Sequence, residues 1–201
     1  GLELVGVDKP ESSPPLAVER DFGFGVVINE NRNYGMRPEL TREHAMSHYI
    51  LPAGPSWVHG KWTAATLENN EWNITPLDYH KIWPMMLRTK ATITAPASGS
   101  GWATAKPWES FAAGVVCFFH PSYDTQGHII PTKANADQST ELGYLASWLR
   151  VDSPEEFHLK LKAVLADDST YQWLADMQYK HFVKEKEAAR CMTSIAARLG
   201  L

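Results

Sequence analysis

Cysteine is scarce in this chain: two among 201 residues, Cys117 inside an apolar run and Cys191 near the end. With no CxxC pair and no His/Cys cluster, neither a disulfide framework nor a zinc site is expected, and a reducing cytoplasm fits best. Long apolar runs are missing too. The longest, Phe111 to Phe119, has nine residues, whereas a helix crossing a bilayer needs roughly 20; it reads as a buried strand with its lead-in, and no membrane partner is expected. Nor does one sign of charge dominate: 19 basic and 23 acidic side chains give −4, divided evenly between the two halves, so composition shows no footprint for extended nucleic-acid contact. Gly1-Leu2-Glu3-Leu4-Val5 has neither a basic start nor a long apolar core, so no secretory signal is expected, and a first residue other than Met predicts that Gly1 follows a tag or an internal cut. GxSxG, P-loop and GxGxxG motifs are absent, which argues against hydrolase, kinase and dinucleotide-oxidoreductase chemistry. His44 and His48 share i, i+4 spacing, but no HExxH or third ligand accompanies them, so no metal is expected.

What is present is a globular signature, with eight tryptophans and 11% aromatic residues. Residues 8–16, DKPESSPPL, read as a linker or edge segment. Phe22 to Ile28 reads as a core strand, Pro38 to Ile50 as a weakly amphipathic helix, and Trp57 to His59 as a second strand. Thr75-Pro76-Leu77-Asp78 is a helix-start signal. Tyr79, Ile82, Trp83, Met86 and Leu87 then recur on one helical face, with Trp83, Met85 and Met86 expected in the core and Pro84 an unusual interior residue. A short strand over Ala91–Thr94, a short helix from Pro107 stopped by Gly114, and a strand over Val115–Phe119 follow. After a turn-rich stretch from Tyr123 to Thr140, Ser153, Pro154 and Glu156 form a capping box, with Phe157, Leu161, Val164 and Leu165 on the buried face. Ser169 or Thr170 is expected to cap another helix, and Lys184-Glu185-Lys186-Glu187 to lead into a final amphipathic piece. Strands alternating with helical patterns predict an α/β protein: a doubly wound, mostly parallel sheet with helices on both faces.

In such a sheet, ligands bind beyond the carboxyl ends of the strands, where strand order reverses. The segment Ser98-Gly99-Ser100-Gly101 lies between a strand and a helix start, where backbone N–H groups and the helix dipole favour an anion, and Lys106 adds a cation. Glu109, on the first turn of that helix, could close a capping box or accept two hydrogen bonds from a ribose diol. The plainer alternative is a flexible turn followed by a helix-start acid. Arg32 and Lys61 follow the first two strands, and two cations from separate loops suit a diphosphate, unless both are simply solvated surface charges. His120, directly after a strand, is either a catalyst or a satisfied polar residue.

The run Lys106-Pro107-Trp108-Glu109-Ser110-Phe111-Ala112-Ala113-Gly114-Val115-Val116 resembles the donor-binding motif of GT-B glycosyltransferases, Pro-x-Glu-x-x-Ala-x-Gly before a buried strand. The Arg32 loop, Gly60-Lys61, the unit from Leu77 to Thr94, and Leu149-Arg150-Val151-Asp152-Ser153-Pro154-Glu155-Glu156 are similar to that family's C-terminal domain in order and style, over about residues 21–185. The resemblance implies a Rossmann-like half of a GT-B fold: a linker or edge segment at 1–20, a nucleotide-sugar-binding domain at 21–185 and a helical tail at 186–201. It implies a nucleotide-sugar donor, UDP-sugar favoured, with no metal required for the fold. Glu109 would bind the ribose hydroxyls, Ser98–Gly101, Arg32 and Lys61 the diphosphate, and the loop near Ile74-Thr75 would face the base. Gly101 stands where many retaining members carry a glutamate, so retaining and inverting chemistry both stay open. The implied partner is an N-terminal acceptor-binding domain or chain. Phe119-His120-Pro121-Ser122-Tyr123-Asp124 resembles bacteriophage members that sugar-modify hydroxymethylated DNA bases, which would place the enzyme in the host cytoplasm. A non-catalytic nucleotide or phospholigand module acting through a partner is the alternative, and a plain interaction domain a third.

Overall fold

The computed structural model describes residues 19–27, 48–49, 56–59, 73–74, 79–94 and 106–199. The expectations for the proline-rich segment 8–16 and for Arg32, Lys61, Thr75, Ser98, Gly99, Ser100 and Gly101 lie outside them, as does most of the helix expected from Pro38 to Ile50, of which His48 and Tyr49 are described and form a turn.

The chain builds a five-stranded sheet in the order β3-β2-β1-β4-β5, from β1 (Phe22–Val27), β2 (Ser56–His59), β3 (Asn73–Ile74), β4 (Thr89–Thr94) and β5 (Val116–Phe119). Every pairing is parallel. Parallel strands are covered on both faces, and β5 shows the consequence: Val116, Cys117, Phe118 and Phe119 are all buried. Its outer edge is covered rather than exposed. The Cys117 N–H donates to Gln178 Oε1 at 2.8 Å, and the Val151 N–H donates to the Phe119 carbonyl at 3.3 Å, which removes an open strand edge. Ile74, expected in a loop, instead closes the short edge strand β3.

Five helices complete the described fold: α1 (Tyr79–Leu87), α2 (Lys106–Ala112), α3 (Glu141–Leu149), α4 (Pro154–Ala166) and α5 (Asp168–Leu199). On one face, the Phe157 ring of α4 meets Phe24, Phe118 and Tyr49 at centroid distances of 5.7, 5.3 and 5.8 Å. On the other face α2 and α5 cover the sheet, with Phe111 against Phe119 at 6.4 Å and Trp108 against His181 at 5.4 Å. Strand connections therefore leave for opposite faces. The segment holding Tyr49, between β1 and β2, lies with α4; α2, between β4 and β5, lies with α5.

Local chemistry sets the helix ends. The Ser153 hydroxyl accepts the Glu156 N–H at 3.2 Å, with Pro154 next in line, as a capping box requires. The Glu156 carboxylate reaches the Asp152 N–H at 2.7 Å, one residue earlier than the usual partner. The cap of α5 differs from expectation. Asp167, not Ser169 or Thr170, is the acceptor, taking the backbone N–H groups of both at 3.1 Å. From there α5 runs unbroken for 32 residues, because Lys184-Glu185-Lys186-Glu187 are polar but good helix formers. The turn-rich stretch ends in a helix that was not expected, α3, whose N-cap is Thr140. Trp83, expected in the core, is 37% exposed; only Met86 of that trio is buried, in a small cluster with Ala113 and Val115.

Candidate functional site

Strand order reverses between β1 and β4, so the crevice available to a ligand lies beyond their carboxyl ends. The register Phe22↔Thr89 and Phe24↔Ala91, continued along both strands, sets Val27 level with Thr94. Of the expected site residues, the structure describes Lys106 and Glu109. Both are half-buried on the first turn of α2. Spaced i, i+3, they share one side of the helix, while Pro107, Ser110 and Phe111 pack inward. Gly114, at φ 68°, ends this unit and returns the chain to β5.

A second group of residues shares this edge. The His120 backbone N–H donates to Thr94 Oγ1 at 3.2 Å, which fastens the end of β5 to the end of β4. The His120 ring is buried, edge-on to Tyr49 at 4.8 Å. Its Nδ1 accepts the Ser122 N–H at 3.2 Å and lies 2.9 Å from Ser122 Oγ; an Nδ1 that accepts leaves the proton of the neutral ring on Nε2. Burial raises the pKa of the Tyr49 hydroxyl, and the charges of Glu155, Asp152 and Glu156 add to the rise.

The loop after His120 is held by one buried ion pair. Arg150 meets the fully buried Asp124 carboxylate at 2.8 Å and donates to the carbonyls of Pro131, Ile130 and Asp124 at 2.5, 2.5 and 3.1 Å. Burial lowers the Arg150 pKa, and Asp124 opposes that shift. Asp124 is in the left-handed region at φ 49° and accepts the His128 and Ile129 N–H groups at 2.8 and 3.1 Å. The sequence offered no local sign of this frame, since Asp124 and Arg150 are 26 residues apart.

Beside α2, His181 donates from Nε2 to the Ile129 carbonyl at 2.7 Å. It also lines an open groove of about 290 Å³ between α3 and α5, with Leu142, Leu145, Met177, Lys180 and Lys184. Burial pushes the Cys117 thiol up to about 12, which removes it as a nucleophile. Among the described residues no three His, Cys, Asp or Glu side chains are grouped to hold a metal ion. None of their helices is long and apolar enough to cross a membrane.

No protein-family model matches the sequence, and no curated protein matches it. Solved structures do. T4 phage beta-glucosyltransferase with its UDP-glucose substrate is similar at a TM-score of 0.65 and 14% identity, over 96% of this chain and 53% of that one. The T4 phage protein with UDP and Mn2+ gives 0.66 and 14%, over 96% and 52%. The C-terminal domain of a glycosyl transferase group 1 family protein from Francisella tularensis gives 0.51 and 13%, over 90% of this chain and 94% of that domain. The chain thus spans about half the length of the T4 phage protein. At these identities the likeness is one of fold, and the fold is the Rossmann-like, doubly wound half expected of a GT-B glycosyltransferase.

Proposed function

We propose that the chain is the donor-binding domain of a glycosyltransferase and binds a nucleotide-diphosphate sugar, UDP-sugar by preference. The observation that carries this reading is the position of Glu109: first turn of the helix after β4, beside the switch point, in a fold whose solved relatives hold UDP-glucose and UDP. A carboxylate there can accept both hydroxyls of a ribose. In this reading Lys106, together with Arg32, Lys61 and the backbone of Ser98, Gly99, Ser100 and Gly101, would supply positive charge and N–H donors for the diphosphate, and Thr75 would serve the base.

In the reaction, the bond from the sugar's anomeric carbon to the diphosphate breaks and its electron pair leaves with UDP. The acceptor hydroxyl oxygen bonds that carbon and gives its proton to a base. Negative charge grows on the departing diphosphate, and fixed cations and N–H donors stabilise it more in the transition state than in the ground state. The half-length match to the T4 phage protein supports an acceptor-binding N-terminal domain or chain as partner. A further similar solved structure is the DNA modifying enzyme beta-glucosyltransferase, which supports DNA as acceptor; a hydroxymethylated base in phage DNA, modified in the host cytoplasm, completes the proposal.

The test is the melting temperature of the 201-residue chain with UDP-glucose, UDP, GDP and ADP, each with and without Mn2+. The expected result is a rise of several degrees with the uridine nucleotides and a smaller one with the others. A rise with UDP and no sugar preference would favour a non-catalytic nucleotide module instead, and no rise with any nucleotide would defeat both readings.

A further inference from the structure

We infer that Thr94 is itself a ligand-binding residue whose hydroxyl donates to a diphosphate oxygen; this rests on the nucleotide reading above and adds to it a group outside the donor-binding motif. Thr94 is the last residue of β4, level with the last residue of β1, so it stands at the switch point rather than near it. It is 3% exposed. Its oxygen accepts the His120 N–H at 3.2 Å, which occupies one lone pair and turns the hydroxyl proton away from that contact. Among the described residues the proton has no acceptor.

A threonine hydroxyl is one donor as well as an acceptor, and a buried donor gains free energy when an acceptor reaches it. At this place in a doubly wound sheet, an oxygen acceptor is what the fold brings: the phosphate of a nucleotide. The contact with His120 fixes the direction of the donor before the ligand arrives, so little ordering remains for binding. An anionic acceptor makes the bond stronger than a neutral one.

The experiment is isothermal titration of the 201-residue chain with UDP, inorganic pyrophosphate and uridine. The wild type should bind UDP. Thr94→Val keeps the shape, removes the hydroxyl, and should weaken UDP and pyrophosphate about tenfold while leaving uridine unchanged, the loss expected for one hydrogen bond to a charged group. Thr94→Ser should restore both. If Thr94→Val fails to fold because the His120 N–H loses its acceptor, Thr94→Ala leaves space for a water there and should show the same selective loss. Equal UDP affinity in wild type and either apolar variant would overturn the inference while leaving the nucleotide reading intact. Absence of UDP binding by the wild type would overturn that reading, and this inference with it.

Discussion

Thr89 and Thr94 stand at opposite ends of β4, both nearly inaccessible to solvent, yet their hydroxyls have different fates. Thr89 Oγ1 donates to the Met85 carbonyl at 2.7 Å, and its own carbonyl accepts from Arg20 at 2.7 Å. The rest of that edge is tied in the same way. Arg20 also reaches the Ala113 carbonyl at 2.7 Å, the Tyr171 hydroxyl donates to the Gly114 carbonyl at 2.9 Å, Lys90 pairs with Asp168 at 2.6 Å, and Arg88 pairs with Asp21. At the amino edge, polar side chains satisfy backbone groups left over where helices end and strands begin. Among the described residues, the carboxyl-edge frame lies in the loop after β5, through Arg150, and at β4 the Thr94 hydroxyl has no acceptor. Residue type is therefore a poor guide to role here. On the proposal above, the two threonines differ in whether a described residue accepts the hydroxyl proton: the Met85 carbonyl does so for Thr89, and none does for Thr94.

The largest expected effect is at the Arg150 frame. Arg150→Met leaves the Asp124 carboxylate buried and unpaired, and should cost about 3–5 kcal/mol in urea unfolding; a loss near zero would show that the carboxyl-edge loop does not depend on it. Next, Arg20→Met should cost about 2 kcal/mol, because three carbonyls lose a charged donor, and UDP affinity should not change. Thr89→Val should cost about 1 kcal/mol, again without touching UDP affinity. An affinity loss in either amino-edge variant would erase the contrast with Thr94. The smallest effect is pH-dependent and belongs to the carboxyl side, where Lys133, from the loop after β5, meets Glu156. Burial alone would raise the Glu156 pKa, but hydrogen bonds from Lys133 and Lys160 hold it down to about 2, against an ordinary value of 4.5. A carboxylate with a depressed pKa stabilises the fold above its unfolded value and loses that contribution as pH falls. The wild type should therefore lose stability between about pH 4.5 and 2 more steeply than Glu156→Gln, as followed by thermal unfolding across that range.

Much of this architecture is legible in the sequence because it is local. The runs that make β1 and β5, the Ser153 cap and the α2 start at Lys106-Pro107 each carry their signal within a few residues. The unexpected parts depend on distant contacts. Gly143 is a poor helix former inside α3, and it is there because a Cβ would fall 1.9 Å from the Asp137 carbonyl oxygen; the close approach of that loop demands glycine. Leu142, Leu145, Ala146 and Leu149 carried the helical spacing of α3 all along. Asp167 outcompetes Ser169 and Thr170 as a cap because its carboxylate can accept both of their N–H groups. Of the candidate site, the place of Lys106 and Glu109 at a helix start is legible from a loop-to-helix pattern. Thr94 is not, since its partner His120 lies 26 residues away.

The central claim is that Glu109 reads a ribose at the carboxyl edge. It is tested most directly by titrating UDP-glucose and its 2′-deoxyribose analogue into the wild type and Glu109→Ala. The wild type should bind UDP-glucose about tenfold or more tightly than the analogue, and Glu109→Ala should bind the two alike, as follows when a carboxylate–hydroxyl bond is removed from either side. A Glu109→Ala variant that still prefers the ribose to the same degree would contradict the account.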